Sequence, residues 1–396
     1  MRIILYGLGT GRTYIEGCIK PSHEIVGYTD SYSHIEYFAG KRFYSLEQLK
    51  DVKFDYIVLT LGNRKTCNAI KQQLQAQFNI HSDKIVEFWK LYYATLNCNL
   101  IDYRVLKKNG DYDGLVLGLS HAEVGINTDY LDGNWCNLAI SSQDLYGNKK
   151  VLEYAYQKYR DRFINLKYVI IDLFDWVYFN YDTSMASNAL NYLGNVMNID
   201  GISHHFKRNK LYEEKQRNIE KSYLLSTDKV LEETHKRQLA ELFGDIHQNE
   251  YIFNSYQSKV SVNIIDKADD NYLKPDYMPA IAKRHFPETI KENIDIFKDI
   301  LEFLYNINNQ IKIYAVLLPR YNTIETIHKT LYQQWKKEFM EIIHNIKKSY
   351  NFEFISYKDY QPISGNNNFY ADVSHLNLTG SIALTSLLNE TLIKQN

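Results

Sequence analysis

Short apolar runs that end in glycine or an acid recur along this chain, with helix-forming stretches between them. Arg2 to Tyr6 is such a run. It opens into Gly7-Leu8-Gly9-Thr10-Gly11-Arg12-Thr13, a glycine turn expected to lead into a helix through Cys18. Glu24-Ile25-Val26-Gly27-Tyr28-Thr29-Asp30 reads as a second strand ending in an acid. Ser45 is placed to N-cap a short helix over 44–49. Phe54 to Thr60 reads as a buried strand, followed by a helix from about 63 to 77 and a strand over 84–88. Alternation of this kind restricts the fold class to α/β, because parallel strands need long crossovers and helices supply them.

A second alternation begins at Gly114 after a connector over 96–110. Cys136 to Ile140 reads as a short strand, residues 141–144 as a polar turn, 149–160 as a helix, and Tyr168 to Leu173 as a strand. Residues from about 180 to 285 are charged and tyrosine-rich, with His204-His205 and an amphipathic stretch from Asp228 to Leu242. They are expected to form an insertion or cap that helps shape a substrate site. Regularity returns over Pro287 to Ile307, where Ile290, Ile294, Phe297, Ile300, Leu301 and Leu304 make one apolar helical face. A strand over 311–318, a helix from about 323 to 350 and a final strand over 352–357 follow. The domain plan is therefore 1–95, a connector over 96–110, and 111–396 with the insertion.

At 396 residues the chain can hold two cores. A formal net charge of -1 argues against a general nucleic-acid-binding surface. Cys18, Cys67, Cys98 and Cys136 are too scattered for a disulfide framework or a structural zinc site, and no metal site is expected. His204-His205 has no carboxylate at ligand spacing and reads as surface or cap structure. The first apolar run is too short for a secretion signal, and no 18-residue apolar stretch exists. The expectation is a protein with no membrane span that works in the cytoplasm. The oligomeric state stays open.

The residues that carry chemistry lie far apart. Asp372-Val373-Ser374-His375 sets an acid three residues before a histidine, and Leu376-Asn377-Leu378-Thr379-Gly380 then opens an apolar helix. A histidine general base needs such a carboxylate to hold its tautomer and stabilise its imidazolium. Upstream, Leu115-Val116-Leu117-Gly118-Leu119-Ser120-His121 is a strand that delivers a serine to its C-terminal edge. Functional groups collect at that edge in open parallel sheets, so Ser120, His375 and Asp372 can meet there. A strand-end serine cap and a loop-bonding histidine would use the same residues without chemistry. His121 reads as a packing or substrate-contact residue rather than a second base.

Two resemblances follow from these motifs. Residues 1 to 95 resemble the small Rossmann-like domains of bacterial surface-polysaccharide enzymes, on Leu5-Tyr6-Gly7-x-Gly9-x-Gly11, Ile25 to Asp30 and Phe54 to Leu59. That resemblance implies a cofactor site at Gly7, Gly9, Gly11 and Asp30, for a nucleotide or acetyl-CoA; a tight turn with no ligand is the alternative. Residues 112–180 and 287–396 look like the SGNH/GDSL hydrolase superfamily, a three-layer α/β/α sandwich. Gly118-Leu119-Ser120 matches its first block, Asn137 to Asp144 sits where the second falls, and Asp372-Val373-Ser374-His375 matches the last. The resemblance implies Ser120 as nucleophile, His375 as base, Asp372 as its orienting acid, and N–H groups of Ser120 and Ser142 as oxyanion hole, with no cofactor required. The third block, ordinarily Gly-x-Asn-Asp, is absent; the strand ends in Leu173-Phe174-Asp175-Trp176. An ionised Asp cannot donate to an oxyanion as an Asn amide can. The implied activity is esterase or O-acyltransferase chemistry on a carbohydrate or glycan intermediate of surface-polysaccharide biosynthesis. The alternatives are a degenerate glycan-binding or assembly module and, more remotely, an NAD-linked oxidoreductase; for the latter no Tyr-x-x-x-Lys follows at a suitable place within the first ninety residues.

Overall fold

The computed structural model describes residues 1–9, 11–96, 98–183, 231–247, 280–327 and 329–394. His204-His205 lie outside these. The protein is α/β and divides into two compact units. The described residues of the first lie within Met1–Asn97 and Arg217–Asn254, those of the second within Cys98–Gln216 and Ser255–Asn396.

In the first unit β1 (Arg2–Tyr6), β2 (Glu24–Thr29), β5 (Tyr56–Leu59) and β6 (Ile85–Glu87) form a parallel sheet in the order β2-β1-β5-β6. Ile3 to Tyr6 are all buried, as a central parallel strand covered on both faces requires. A small hairpin, β3 (Tyr37–Phe38) and β4 (Lys41–Arg42), turns through Ala39 and Gly40, both at positive φ. The helix Arg64–Phe78 is N-capped by Asn63, whose side chain accepts from the Thr66 N–H, and stops at left-handed Asn79.

Residues 231–247, in the middle of the 180–285 stretch, depart from the expected cap on the second unit. Helix Glu233–Leu242 belongs to the first unit, with Leu242 and Phe243 buried there. The Lys20 N–H donates to the Leu242 carbonyl at 3.0 Å and the Gly244 N–H to the Cys18 carbonyl at 2.9 Å. Phe243 meets Phe88 edge-on at 5.3 Å, and the Tyr56 hydroxyl donates to Glu241 at 2.7 Å. The apolar face read over 228–242 is thus spent on the first unit's own core.

In the second unit β7 (Gly114–Leu117), β8 (Trp135–Asn137), β9 (Tyr168–Asp172), β10 (Lys312–Leu317) and β11 (Glu353–Ser356) form a parallel sheet in the order β11-β10-β9-β7-β8. Helices Leu145–Lys158 and Pro287–Ile307 pack together, while helices Ser120–Gly125 and Leu378–Leu388 pack together elsewhere. The latter pair shares a core with Val116, Ile170, Tyr314 and Val316, alternate residues of three strands and therefore one sheet face. Strand order reverses at β7, so the crevice beyond the carboxyl ends of β7 and β9 is the switch point where such sheets place their sites.

Residues 96–110 are not a simple connector. Helix Leu100–Leu106 is capped by Asn99 and buries Leu100, Ile101 and Val105. Its buried Asp102 accepts from Tyr154 (2.9 Å), Tyr159 (2.8 Å) and Lys158 (2.8 Å), all on the next helical stretch. The segment is therefore part of the second unit's core.

Candidate active site

Strand β7 is followed by Gly118, whose φ of +147° suits glycine. A Cβ there would lie 2.8 Å from the Asp172 Cβ and 3.0 Å from that of Ala122. The turn is pinned by the Gly118 N–H, which donates to the buried Asn148 Oδ1 at 2.8 Å. Asp172 closes β9 beside it. Burial pushes this carboxyl up to about 7, against the Phe174 N–H it accepts at 2.9 Å. Leu119 is extended, and Ser120 opens the short helix Ser120–Gly125.

The Asp372–His375 loop is a self-closing turn. The Ala371 N–H donates to the His375 carbonyl at 2.8 Å, and Asp372 Oδ1 accepts the N–H groups of Ser374 and His375 at 2.7 Å each. Beyond it Asn377 caps helix Leu378–Leu388 by accepting from the Gly380 N–H. The loop aims His375 at β7. Its Nε2 lies 2.8 Å from Ser120 Oγ, and its Nδ1 lies 2.9 Å from Asp372 Oδ2. A carboxylate facing Nδ1 holds the ring proton there and leaves the Nε2 lone pair for the serine hydroxyl. Burial alone would raise the Asp372 carboxyl, but the His375 hydrogen bond and the two backbone N–H groups hold it below its ordinary value.

His121 backs this arrangement. Its ring stacks on His375 at 4.7 Å and 20°, and its Nε2 sits 2.7 Å from Ser374 Oγ. Burial first, then the charges of His375, Arg320 and Lys358, push it well below the ordinary histidine value. That shift favours the uncharged ring beside His375.

The loop after β8 runs alongside Gly118, with the Ile140 N–H donating to the Gly118 carbonyl at 3.3 Å. Ser142 in that loop is left-handed, at φ 65°, and its carbonyl is held by the Tyr181 hydroxyl at 2.8 Å. Among the described residues the N–H groups of Ser120 and Ser142 meet no protein acceptor.

Asp175 stands where a third-block Asn would be sought, and its carboxylate is engaged elsewhere. It pairs with Arg320 at 2.8 Å and Lys358 at 3.0 Å, and both cations also bind Glu325, at 2.8 and 2.6 Å. These four side chains are nearly inaccessible. Local sequence carried no sign of this quartet, because its members follow three different strands.

Glu123 was also missed. One oxygen binds Arg104 at 2.6 Å; the other accepts the Ser141 N–H at 2.7 Å and the Ser141 hydroxyl. A carboxylate three residues after Ser120 is its only local signal.

In the first unit Gly7, Gly9, Gly11 and Asp30 follow the paired strands β1 and β2. Gly7 has φ +105°, with Thr60 Oγ1 2.7 Å from where a Cβ would stand. A Cβ at Gly9 would meet nothing, and one at Gly11 would lie 3.2 Å from the Trp89 ring. Asp30 accepts the Tyr32 N–H (2.8 Å), the Ser33 N–H (2.6 Å) and the Ser33 hydroxyl (2.6 Å), so its carboxylate is committed to its own loop. Among the described residues no helix is long and apolar enough to cross a membrane, and no three His, Cys, Asp or Glu side chains converge as for a metal.

Residues 1–86 match the family described as C2185-like, N-terminal. No curated protein matches the chain. Among solved structures the chain is similar to one provisionally described as a platelet activating factor from Streptococcus pneumonia. The two share 10% identity with a TM-score of 0.35, over 82% of this chain and 98% of that one.

Proposed function

We propose that the second unit carries out serine-dependent acyl-ester chemistry, as an esterase or O-acyltransferase acting on a carbohydrate in the cytoplasm. The observation that carries this reading is the unbroken contact from Ser120 Oγ through His375 to Asp372. Ser120 Oγ attacks the ester carbonyl carbon as its proton passes to His375 Nε2. The oxyanion develops against the Ser120 and Ser142 N–H groups. Collapse breaks the bond to the sugar oxygen, which takes the proton from Nε2 and leaves an acyl-Ser120. Water, or a second sugar hydroxyl, then gives its proton to Nε2 and attacks the acyl carbon; collapse breaks the bond to Ser120 Oγ, which takes that proton back from Nε2. A carbohydrate substrate, and a nucleotide or acetyl-CoA at the first unit's glycine turn, rest on the sequence resemblances alone.

A fluorophosphonate probe tests the reading. It should add covalently to Ser120, located by mass of the derived peptide. An unlabelled Ser120, beside a control serine hydrolase that reacts, would favour a glycan-binding or assembly module. The lack of a side-chain amide at Asp175 is the observation on that side.

Glu123 should matter through position rather than contact. Tied to Ser141, it sets the Ser142 N–H relative to the helix that begins at Ser120. Losing one oxyanion donor typically costs about 10²–10³ in rate. Glu123→Gln is therefore expected to lower kcat on an aryl acetate by up to about 10² with KM little changed. Ser141→Ala is the milder companion, and an equal loss in kcat and fraction folded would mark a purely structural role.

A further inference from the structure

Beside the triad, the second unit has a cavity of about 480 Å³ that the chemistry above leaves unused. Trp176, Asn322 and Lys358, which line it, follow β9, β10 and β11 respectively. Ser120 follows β7, the next strand beyond β9, so the cavity opens at the same sheet edge. Neighbouring strands lie about 4.8 Å apart, which puts β10 roughly 10 Å from β7, or one to two sugar rings. Two contacts join the sites. The Tyr321 N–H donates to the Val373 carbonyl of the Asp372–His375 loop at 3.3 Å, and Phe174, two residues before Trp176, meets the His121 ring at 4.9 Å.

The chemistry of the walls is specific. Lys358 and Glu325 in the floor are neutralised within the buried quartet and leave no net charge. Above them Lys329 and Lys336 sit seven residues apart on one face of helix Lys329–Lys347. Neither has a carboxylate partner within ion-pair distance among the described residues, and the Lys336 ammonium lies 4.9 Å over the Trp176 ring. Among the described residues Asp359 is the one carboxylate at the rim outside the quartet. Amides of Asn322 and Gln333 complete the wall and can both donate to and accept from hydroxyls. Two cations, one anion and two amides around a concave space suit a polyhydroxylated ring bearing a negative group.

We propose that this cavity is a subsite for an anionic sugar, one carrying a phosphate or a carboxylate, placed one or two rings from the ester at Ser120. Its place in the reaction rests on the acyl-ester reading; its binding does not. Calorimetric titration of the full chain with glucose 6-phosphate, glucuronate, glucose and inorganic phosphate separates the possibilities. At least one anionic sugar should bind tenfold or more tighter than glucose and than inorganic phosphate, and which one does so identifies the negative group. The double variant Lys329→Glu/Lys336→Glu should weaken that binding at least tenfold while fluorophosphonate labelling of Ser120 keeps its rate. Lys329→Gln/Lys336→Gln is the gentler check should charge reversal disturb the helix. Undiminished binding in a folded double variant would overturn the subsite, as would inorganic phosphate binding as tightly as the anionic sugar. No binding of either anionic sugar at millimolar concentration would do the same. Binding lost in the variants of a protein whose Ser120 never labels would support the subsite and sink only the catalytic reading.

Discussion

Ser120→Ala is expected to abolish fluorophosphonate labelling and to lower aryl acetate turnover by about 10⁴-fold or more, while leaving the fold intact. The expectation follows from the distances. Ser120 Oγ is the hydroxyl within 2.8 Å of His375 Nε2, and among the described residues its side chain makes no other hydrogen bond. His375→Ala should cost a similar factor, because the three groups act as a unit and their losses do not add. Asp372→Asn is the more discriminating variant. Its amide could still meet Nδ1 but would favour the other imidazole tautomer, with the Nε2 lone pair lost to the serine, and should cost about 10⁴ in kcat. Near-wild-type turnover in Ser120→Ala would show that any activity comes from elsewhere. The same assay, run with and without sugars, separates hydrolysis from transfer by its products.

The second large effect is on stability. Lys358→Met should destabilise the second unit by about 3–5 kcal/mol, because it leaves buried carboxylates short of a cation. Lys358 is only 1% exposed and bridges Asp175, also 1% exposed, and Glu325, 11% exposed, so its loss leaves both carboxylates poorly solvated. Urea unfolding, followed by a probe in the second unit, reads the shift. A companion change, Lys358→Met with Glu325→Gln, should recover part of the loss by removing the uncompensated charge. The acid limb should move too. Arg320 and Lys358, against the burial that opposes them, hold Glu325 well below the ordinary carboxylate range. A depressed carboxyl adds stability that is complete above that range and is lost as pH falls below about 4. Lys358→Met should therefore flatten the acid-side loss while lowering stability at neutral pH. No change in midpoint at pH 7 would refute the role given to the quartet.

Elements whose signals are local were legible from residues alone. Pro287–Ile307 repeats its apolar side chains with helical period and begins with proline at the first turn, and the helix has those bounds. The uncharged stretches at 3–6 and 114–117 are central parallel strands, buried on both faces as such runs must be. Helix Leu145–Lys158 starts four residues before its expected beginning. Its Tyr146-Gly147 start hides the signal, while Asp144 caps it by accepting the Gly147 N–H.

What failed was contact at a distance. Helix Leu100–Leu106 read as a connector because Asp102 and Arg104 look like solvent-facing charges until Tyr154, Lys158, Tyr159 and Glu123 are folded onto them. The amphipathic stretch ending at Leu242 announced a buried face but not which core would bury it.

The chain's own order of residues thus determined the α/β class, the two sheets, and the three side chains worth bringing together, because hydrophobic period, caps and turn residues act over a few positions. Tertiary structure alone decided that His375 and Ser120, 255 residues apart, lie within a hydrogen bond. It also decided that Asp175 is spent on Arg320 and Lys358, and that Glu123 ties the Ser141 loop to the helix that begins at Ser120. Those are pairings of charge and donor across strands, and strand order, which no local pattern encodes, sets who faces whom.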